Sequence, residues 1–349
     1  MNLRRVTVVG AGVVGLCVAL RLQQDGARVL LVDEGSDTPN ASEVAAGMIA
    51  PASEAAFGEP LGGRFPMLRA ARDLWLETPA AGRLDRCGSL TLPGVDKVGS
   101  LAEAAEAFQR EGVPFRRLTD AEARECATEI ERGHRGAVFT AEDWRLDAPV
   151  ALGDLRRAFL DGGGAVRRYR VNASPRSDEA DALVVCAGWG SRSLDALAPE
   201  LQLLSPIKGQ LLRFPGAPPF VGPILRHGSV YLVPSGAGVI VGASMEAGAD
   251  DLAPSPSVAA ELACAARALL PHLNQTEPVS AVGVRAATPD GLPLVGRSRS
   301  GVHLATGFRR NGWLLAPLAA RIVADQLAGR DPGAWASALR PDRFGPSSS

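Results

Sequence analysis

Apolar and polar positions change rhythm along the chain, and the changes outline its elements. Residues 6–9 form a short apolar run, residues 10–15 are rich in glycine, an apolar-faced segment runs to Gln24, and residues 28–32 form a second run. Period two, then 3.6, then two again predicts a strand–helix–strand unit. Over residues 61–86 the apolar side chains Leu61, Phe65, Leu68, Leu74 and Leu76 predict a helix, and Ser89–Leu92 alternates like a strand. The chain is expected to cross into a second lobe there.

Residues 98–111 read as helix, and Thr119 followed by Glu122 has capping-box spacing. A helix opening at Asp147 or Pro149 and running to about Leu160 leads into strands at 165–170 and 182–187, which return to the first lobe. Between Pro206 and Ala243, runs of Val, Ile and Leu separated by Gly-Pro, His-Gly and Ser-Gly-Ala-Gly turns predict an antiparallel sheet. A helix at 257–270, a long strand at 279–287, a short strand at 302–305 and a last helix ending at Leu327 follow. No internal repeat appears, and the tail 345–349 has no apolar anchor and reads as disordered.

The 349 residues, 46% hydrophobic, suffice for two lobes. Lys and Arg (37) balance Asp and Glu (38), so no net field draws nucleic acid or an anionic membrane, and a small-molecule partner is expected. Cys17, Cys87, Cys126, Cys186 and Cys264 lack metal or redox spacing and read as reduced thiols of a cytoplasmic protein. The strand pattern starting at Leu3 leaves no room for a signal peptide, and no apolar run approaches the ~18 residues of a membrane span. His134, His227, His272 and His303 are dispersed and accompany no nucleophile, so they read as structural and no metal is expected.

Gly10-x-Gly12-x-x-Gly15 stands between the first strand and helix, the context in which this spacing binds a dinucleotide. Gly10 permits the tight turn, Gly12 admits a pyrophosphate to the backbone, and Gly15 lets the helix pack closely, with the N–H groups of Val13 and Val14 near the phosphates. Asp33, at the end of the second strand, can accept from both ribose hydroxyls and would repel a 2′-phosphate, favouring FAD or NAD over NADP.

The choice between those two comes from resemblance. Ala45-Ala-Gly-Met-Ile-Ala-Pro51 resembles the flavin-contacting loop of the D-amino-acid oxidase and glycine oxidase family. Tyr231-Leu-Val-Pro234, Gly242-Ala-Ser244, the Thr288–Gly296 stretch, Ala305-Thr-Gly307 and Arg310-Asn-Gly312 stand in the order found in glycine oxidases, including the one serving thiamine biosynthesis. The resemblance spans almost the whole chain. It implies an α/β two-lobe FAD-dependent oxidoreductase of the D-amino-acid oxidase type, with a Rossmann-like FAD lobe and an antiparallel-sheet substrate lobe. The expected FAD-binding segments are 1–87, 145–204 and 280–349; the substrate-binding ones are 88–144 and 205–279.

By the same resemblance Arg285 binds the substrate carboxylate, and its guanidinium fork suits two oxygens. An arginine within the mostly apolar stretch 279–287 is costly to bury without an anionic partner. Tyr231 reaches the same carboxylate, and Arg310 stands at the site's edge. Ala46, Gly47, Met48, Gly188, Gly307, Arg310, Asn311 and Gly312 meet the flavin side of the cofactor. Ser42 touches the pyrophosphate, and Val171 holds the adenine through its backbone. Met48 and Phe308 are candidates for the apolar wall, and the helix after Gly312 would aim its N-terminus at the flavin's pyrimidine end.

The chain departs from the family at Ala286-Ala287, where relatives have Pro-Gly, and at Ser229, where glycine oxidase has histidine. Arg309 replaces an aromatic residue, Trp313 a smaller aliphatic one, and the segment between Val171 and Asp181 is shorter. No cysteine follows Cys264, so FAD is expected to be noncovalent. The implied reaction is hydride transfer from the α-carbon of a small amino acid or amine to flavin N5, giving an imine that water hydrolyses, with oxygen as electron acceptor. Two alternatives stand beside it: an amino-acid or imino-acid dehydrogenase using another acceptor in a biosynthetic pathway, and a noncatalytic flavin-binding subunit. A homo-oligomer is compatible with either.

Overall fold

The computed structural model describes residues 4–35, 39–58, 63–93, 101–131, 135–171, 180–228 and 230–345. Expectations that touch Leu3, Leu61, residues 98–100, His134, residues 172–179, Ser229 and the tail from 346 lie outside them.

A six-stranded sheet is built from β1 (Arg5–Val9), β2 (Arg28–Asp33), β8 (Ala165–Arg168), β9 (Ala182–Val185), β16 (Leu294–Arg297) and β17 (His303–Thr306), in the order β16-β17-β9-β1-β2-β8. Only the β16–β17 pairing is antiparallel. Its parallel strands are covered by α1 (Val13–Gln24), α7 (Ala148–Asp161) and α9 (Gly312–Ala328), so Val8 and Leu31 are wholly buried with Leu16, Val18, Leu155 and Ile322. Asp147 caps α7 by accepting from the Val150 N–H, and Thr119 and Glu122 form the expected capping box on α6 (Asp120–Cys126).

The second sheet has nine strands. These are β4 (Ser89–Leu92), β5 (Arg116–Leu118), β6 (Ala137–Thr140), β10 (Ser205–Pro215), β11 (Ile224–His227), β12 (Val230–Ser235), β13 (Gly238–Gly242), β14 (Glu246–Ala247) and β15 (Val279–Ala287). All pairings are antiparallel except β4 with β11. β15 lies antiparallel to β10 along nine residue pairs. The strand carrying Arg285 therefore belongs to the second sheet, although sequence grouped residues 280–287 with the dinucleotide-binding segments. Its turn chemistry is at its far end, Thr288 to Gly291, where the chain leaves for the other sheet.

A two-stranded ribbon of β3 (Met48–Ile49) and β7 (Trp144–Arg145) stands apart from both sheets, beside α2 (Ala41–Val44) and α3 (Pro51–Phe57). The helix expected over 61–86 is α4 (Phe65–Asp73) followed by two 3-10 turns, with Pro79 and Gly82 in the segment that breaks it. α5 (Leu101–Glu111), α8 (Pro256–Leu269) and α10 (Ala336–Leu339) complete the helices. A small apolar cluster of Val44, Ala46, Leu211, Ile224, Val233 and Ile240 joins the loop before β3 to the second sheet, and Val44, Ala46 and Leu211 of it line the cleft.

Candidate active site

The C-terminal ends of the parallel strands carry the expected dinucleotide residues in spatial order. Asp33 ends β2, Gly10 follows β1, Gly188 follows β9 and Gly307 follows β17. The crevice outside these ends is where open parallel sheets bind ligands. Gly10 has φ of 104°, and a Cβ there would lie 2.6 Å from the Cys186 carbonyl oxygen; a Cβ on Gly15 would lie 1.8 Å from the Gly10 oxygen. The turn can be closed by glycine alone.

Gly12 caps α1 without a side-chain hydrogen bond, and no acidic residue stands in the first turn. The helix start thus keeps donors for an anion, and Ser42 Oγ, which accepts from the Val13 N–H at 3.1 Å, faces the same place. Asp33 accepts from the Ala11 and Gly35 N–H groups at 2.7 and 2.8 Å. A carboxylate has about four acceptor positions, so capacity remains for ribose hydroxyls. Val171 is buried beside Val9 and Val32, just beyond β8. Thr306 Oγ1 donates to the Gly188 carbonyl at 3.0 Å, tying the ends of β17 and β9 together. Val14 is buried within α1.

A cleft continues from Val13 and Ser42 past Ala46, Gly47 and Met48 to the second sheet. Asn311 and Gly312 close its other wall at the start of α9, which also has no side-chain cap. These two glycine-led helix starts, the acidic strand end and the open loop before β3 fit a long dinucleotide carrying a ring system. FAD meets those demands. Phe308 packs in the main core instead of lining the cleft, whereas Met48 and Met245 do line it.

On the second sheet the register sets one row of side chains across five strands: Ala281, Leu211, Gly242, Tyr231 and Arg226. Two glycines make room over this face, Gly242 in the row and Gly209 two residues from Leu211 along β10. A Cβ on Gly242 would meet the Tyr231 hydroxyl at 2.3 Å, so the phenol lies flat over β13. A Cβ on Gly209 would meet the Arg285 guanidinium at 2.4 Å, so that side chain lies over β10, the neighbouring strand. Tyr231 and Arg285 thereby converge in one cleft.

Arg285 has no carboxylate within ion-pair distance among the described residues; its side-chain hydrogen bonds go to neutral acceptors, the Ser244 carbonyl (3.4 Å) and Met245 Sδ (3.2 Å). Burial pushes its pKa down from the ordinary guanidinium value, yet the group remains charged at neutral pH. Burial pushes the Tyr231 hydroxyl up, and the nearby Arg285 charge only partly opposes it, so the group is a donor across the physiological range.

Arg310 is held differently. Its Nε donates to Glu54 Oε2 at 2.9 Å, so part of its charge is already answered by a buried carboxylate that sequence reading passed over. Behind Glu54, fully buried Asp143 accepts from the N–H groups of Ala52 and Ser53 and the hydroxyls of Ser53 and Ser89. Burial outweighs those bonds and raises its pKa. Arg226, also unnoticed, enters the cleft from β11 directly opposite Tyr231. The two-residue step between His227 and Val230 in the sequence already implied that pairing.

Trp313 lines the cleft but is also a brace. Its indole N–H donates to the Ser42 carbonyl at 3.1 Å, its ring stacks on Trp75 at 5.5 Å, and Trp75 donates to the Trp313 carbonyl at 2.8 Å. Arg309, at φ 53°, also reaches the cleft. None of the described histidines or cysteines lines it. All five cysteines are free, no metal-binding cluster occurs among the described residues, and none of their helices is long and apolar enough to cross a membrane.

A Rossmann-like cradle continuous with a cationic cleft on an antiparallel sheet defines a two-lobe flavin oxidoreductase. The model of the FAD dependent oxidoreductase (DAO) family matches residues 5–326, and the chain belongs to that family. It is an enzyme, and its cofactor is FAD. It is similar to the glycine oxidase of Pseudomonas aeruginosa, 29% identical over 94% of this chain and 96% of that one. It is also similar to a putative thiamine biosynthesis oxidoreductase of Rhizobium etli, 30% identical over 93% and 96%. The crystal structure of glycine oxidase from Geobacillus kaustophilus superposes with a TM-score of 0.81 at 27% identity, covering 97% of this chain and 99% of that one.

Proposed function

We propose that the enzyme oxidises the C–N bond of a small amino acid or related amine, with the substrate carboxylate on Arg285 and Tyr231. The observation that carries this reading is their convergence: a guanidinium without a carboxylate partner among the described residues and a protonated phenol, each laid over a glycine into one cleft. A carboxylate there would satisfy both, with the fork of Arg285 taking two oxygens. The names of the glycine oxidase relatives support the same class of substrate.

FAD, when bound, supplies the two-electron acceptor. The protein's part is to orient the α-carbon and exclude water. Arg285 and Tyr231 fix one end of the substrate, Met48 and Met245 contribute apolar surface, and Arg310, steadied by Glu54, guards the edge. No histidine stands in the cleft among the described residues and Glu54 is paired, so the amine is expected to enter neutral. The carbon loses its hydrogen with the bonding pair, the nitrogen loses a proton to solvent, and the resulting imine adds water to give an oxo acid and an amine or ammonia. We take oxygen as the acceptor that closes the cycle, with peroxide as product, and the cytoplasm as the enzyme's location.

The test is an anaerobic absorbance titration of the holoenzyme with glycine, sarcosine, D-proline, D-alanine and dicarboxylic amino acids, followed by admission of air. Bleaching of the flavin band, then peroxide stoichiometric with amine consumed, is the expected result. A flavin that stays oxidised with every amine sinks the reading. Bleaching without peroxide on aeration would move the acceptor from oxygen to another carrier.

A further inference from the structure

Arg226 is unexplained by a substrate with a single carboxylate. Its side chain is partly buried and lines the cleft. Among the described residues its guanidinium makes no hydrogen bond and no ion pair within 4 Å; the ring of Phe57 lies 5.6 Å from the guanidinium carbon. Burial pushes its pKa down, with Glu54 and Asp143 pulling the other way at longer range. Neither comes within hydrogen-bond or ion-pair distance of it. Glu54 is engaged by Arg310, and Asp143 is enclosed by Ala52, Ser53 and Ser89.

A guanidinium carries five donors, and those of Arg226 meet no protein acceptor among the described residues and open onto the cleft, where a ligand can take them up. The register shows where that something sits. Arg226 is one strand beyond Tyr231, ~4.8 Å across the sheet, on the side away from Arg285. Tyr231 therefore stands between two arginines, neither of which has a carboxylate partner within ion-pair distance among the described residues.

The geometry points to Arg226 as the seat of a second carboxylate, so that the substrate is an amine bearing two carboxylates, one on Arg285 and Tyr231 and the other on Arg226. This rests on the reading of Arg285 and Tyr231 as the first seat. It makes Arg226 a specificity-determining residue, and it distinguishes this cleft from one made for glycine, whose single carboxylate would leave Arg226 unanswered.

Sarcosine and iminodiacetate differ by one carboxylate and are the probe pair. The wild-type holoenzyme is expected to prefer iminodiacetate by about 100-fold in kcat/KM, as for a buried charge pair made or missed. Arg226→Met should collapse that ratio to near unity, and Arg226→Lys should restore part of it. Equal kcat/KM for the pair in wild type, or a preference that survives Arg226→Met, overturns the proposal. So does an equal loss for both amines together with weaker FAD retention, which would assign Arg226 to the cofactor.

Unreactive acids provide a readout that needs no turnover. Malonate, succinate and glutarate should perturb the flavin spectrum at concentrations well below acetate, and Arg226→Lys should narrow that gap. If no amine reduces the flavin but a diacid preference is present and depends on Arg226, the oxidation reading fails while the second seat stands. Acetate and the diacids binding alike would remove the second seat whatever the amines do.

Discussion

At the β1–α1 turn the chain makes its binding surface from backbone, whereas on the nine-stranded sheet it makes one from charged side chains laid over glycine. Glycine serves opposite ends in the two places. Gly10 and Gly15 let main chain approach main chain, so that a pyrophosphate meets backbone N–H groups. Gly209 and Gly242 instead leave hollows that are filled by Arg285 and Tyr231, and these side chains give the cleft its chemistry. The first surface can hold any pyrophosphate of the right shape; the second selects by charge and position. Cofactor binding and substrate choice should therefore fail independently.

The most severe test of that separation is Gly15→Ala. Its Cβ would lie 1.8 Å from the Gly10 carbonyl oxygen, so α1 must move off the turn. Purified protein is expected to be colourless and to take up no FAD, as judged by flavin absorbance after reconstitution. Retention of full flavin content would break the comparison at its root.

Next comes Arg285→Leu, which should lower kcat/KM for carboxylated amines about 1000-fold while flavin content stays full. A mutant that lost its flavin would show that the two surfaces are not separable, and unchanged kinetics would remove the carboxylate seat.

A smaller effect concerns the stability of the first sheet alone. His303 on β17 is buried, its Nδ1 has no partner, and its pKa is pushed down to about 4 by desolvation and by Arg297 and Arg4. Between that value and 6.5 the unfolded chain binds a proton that the folded one refuses, so this stability is whole above pH 6.5 and is lost as pH falls towards 4. About 3 kcal/mol is at stake. Thermal unfolding followed across that window should show the decline, and His303→Gln should flatten it. An identical slope in the variant would acquit the histidine.

Smallest is Tyr231→Phe, expected to raise KM about 10-fold with kcat little changed, the loss of one hydrogen bond to a charged group. Because burial raises its pKa, the wild-type hydroxyl should still donate near pH 10, where an exposed tyrosine is half ionised. A pH profile of KM that rose well below pH 10 in wild type and not in the variant would contradict this.

The same contrast governs what could be read from the sequence. The cradle is local: strand, glycine spacing, helix and Asp33 fall within a single stretch, so their spacing alone placed them. The capping box at Thr119 and the start of α7 at Asp147 were legible for the same reason. Arg285 and Tyr231 were reached only through the resemblance, since no spacing announces that strands over fifty residues apart will bring them together. Glu54 escaped notice because a carboxylate in the first turn of a short helix looks like an ordinary helix-start charge. Arg226 was hidden by treating the hairpin as a turn rather than as a register. Asp143 lies in a segment with no periodicity, and its burial depends on donors from Ala52, Ser53 and Ser89, which only the tertiary fold gathers.

Ser42 has a mechanical consequence beyond its hydroxyl. It accepts from the first residue of α1 through Oγ and from Trp313, the second residue of α9, through its carbonyl, and Trp75 clamps that tryptophan from behind. The starts of two long helices are thus pinned to one residue and cannot drift apart independently. Their spacing acts as a ruler: a ligand must be long enough to present its phosphates to one helix start while its ring reaches the other. A mononucleotide flavin answers one end only, so selection for the longer cofactor is written into a span rather than into any single contact.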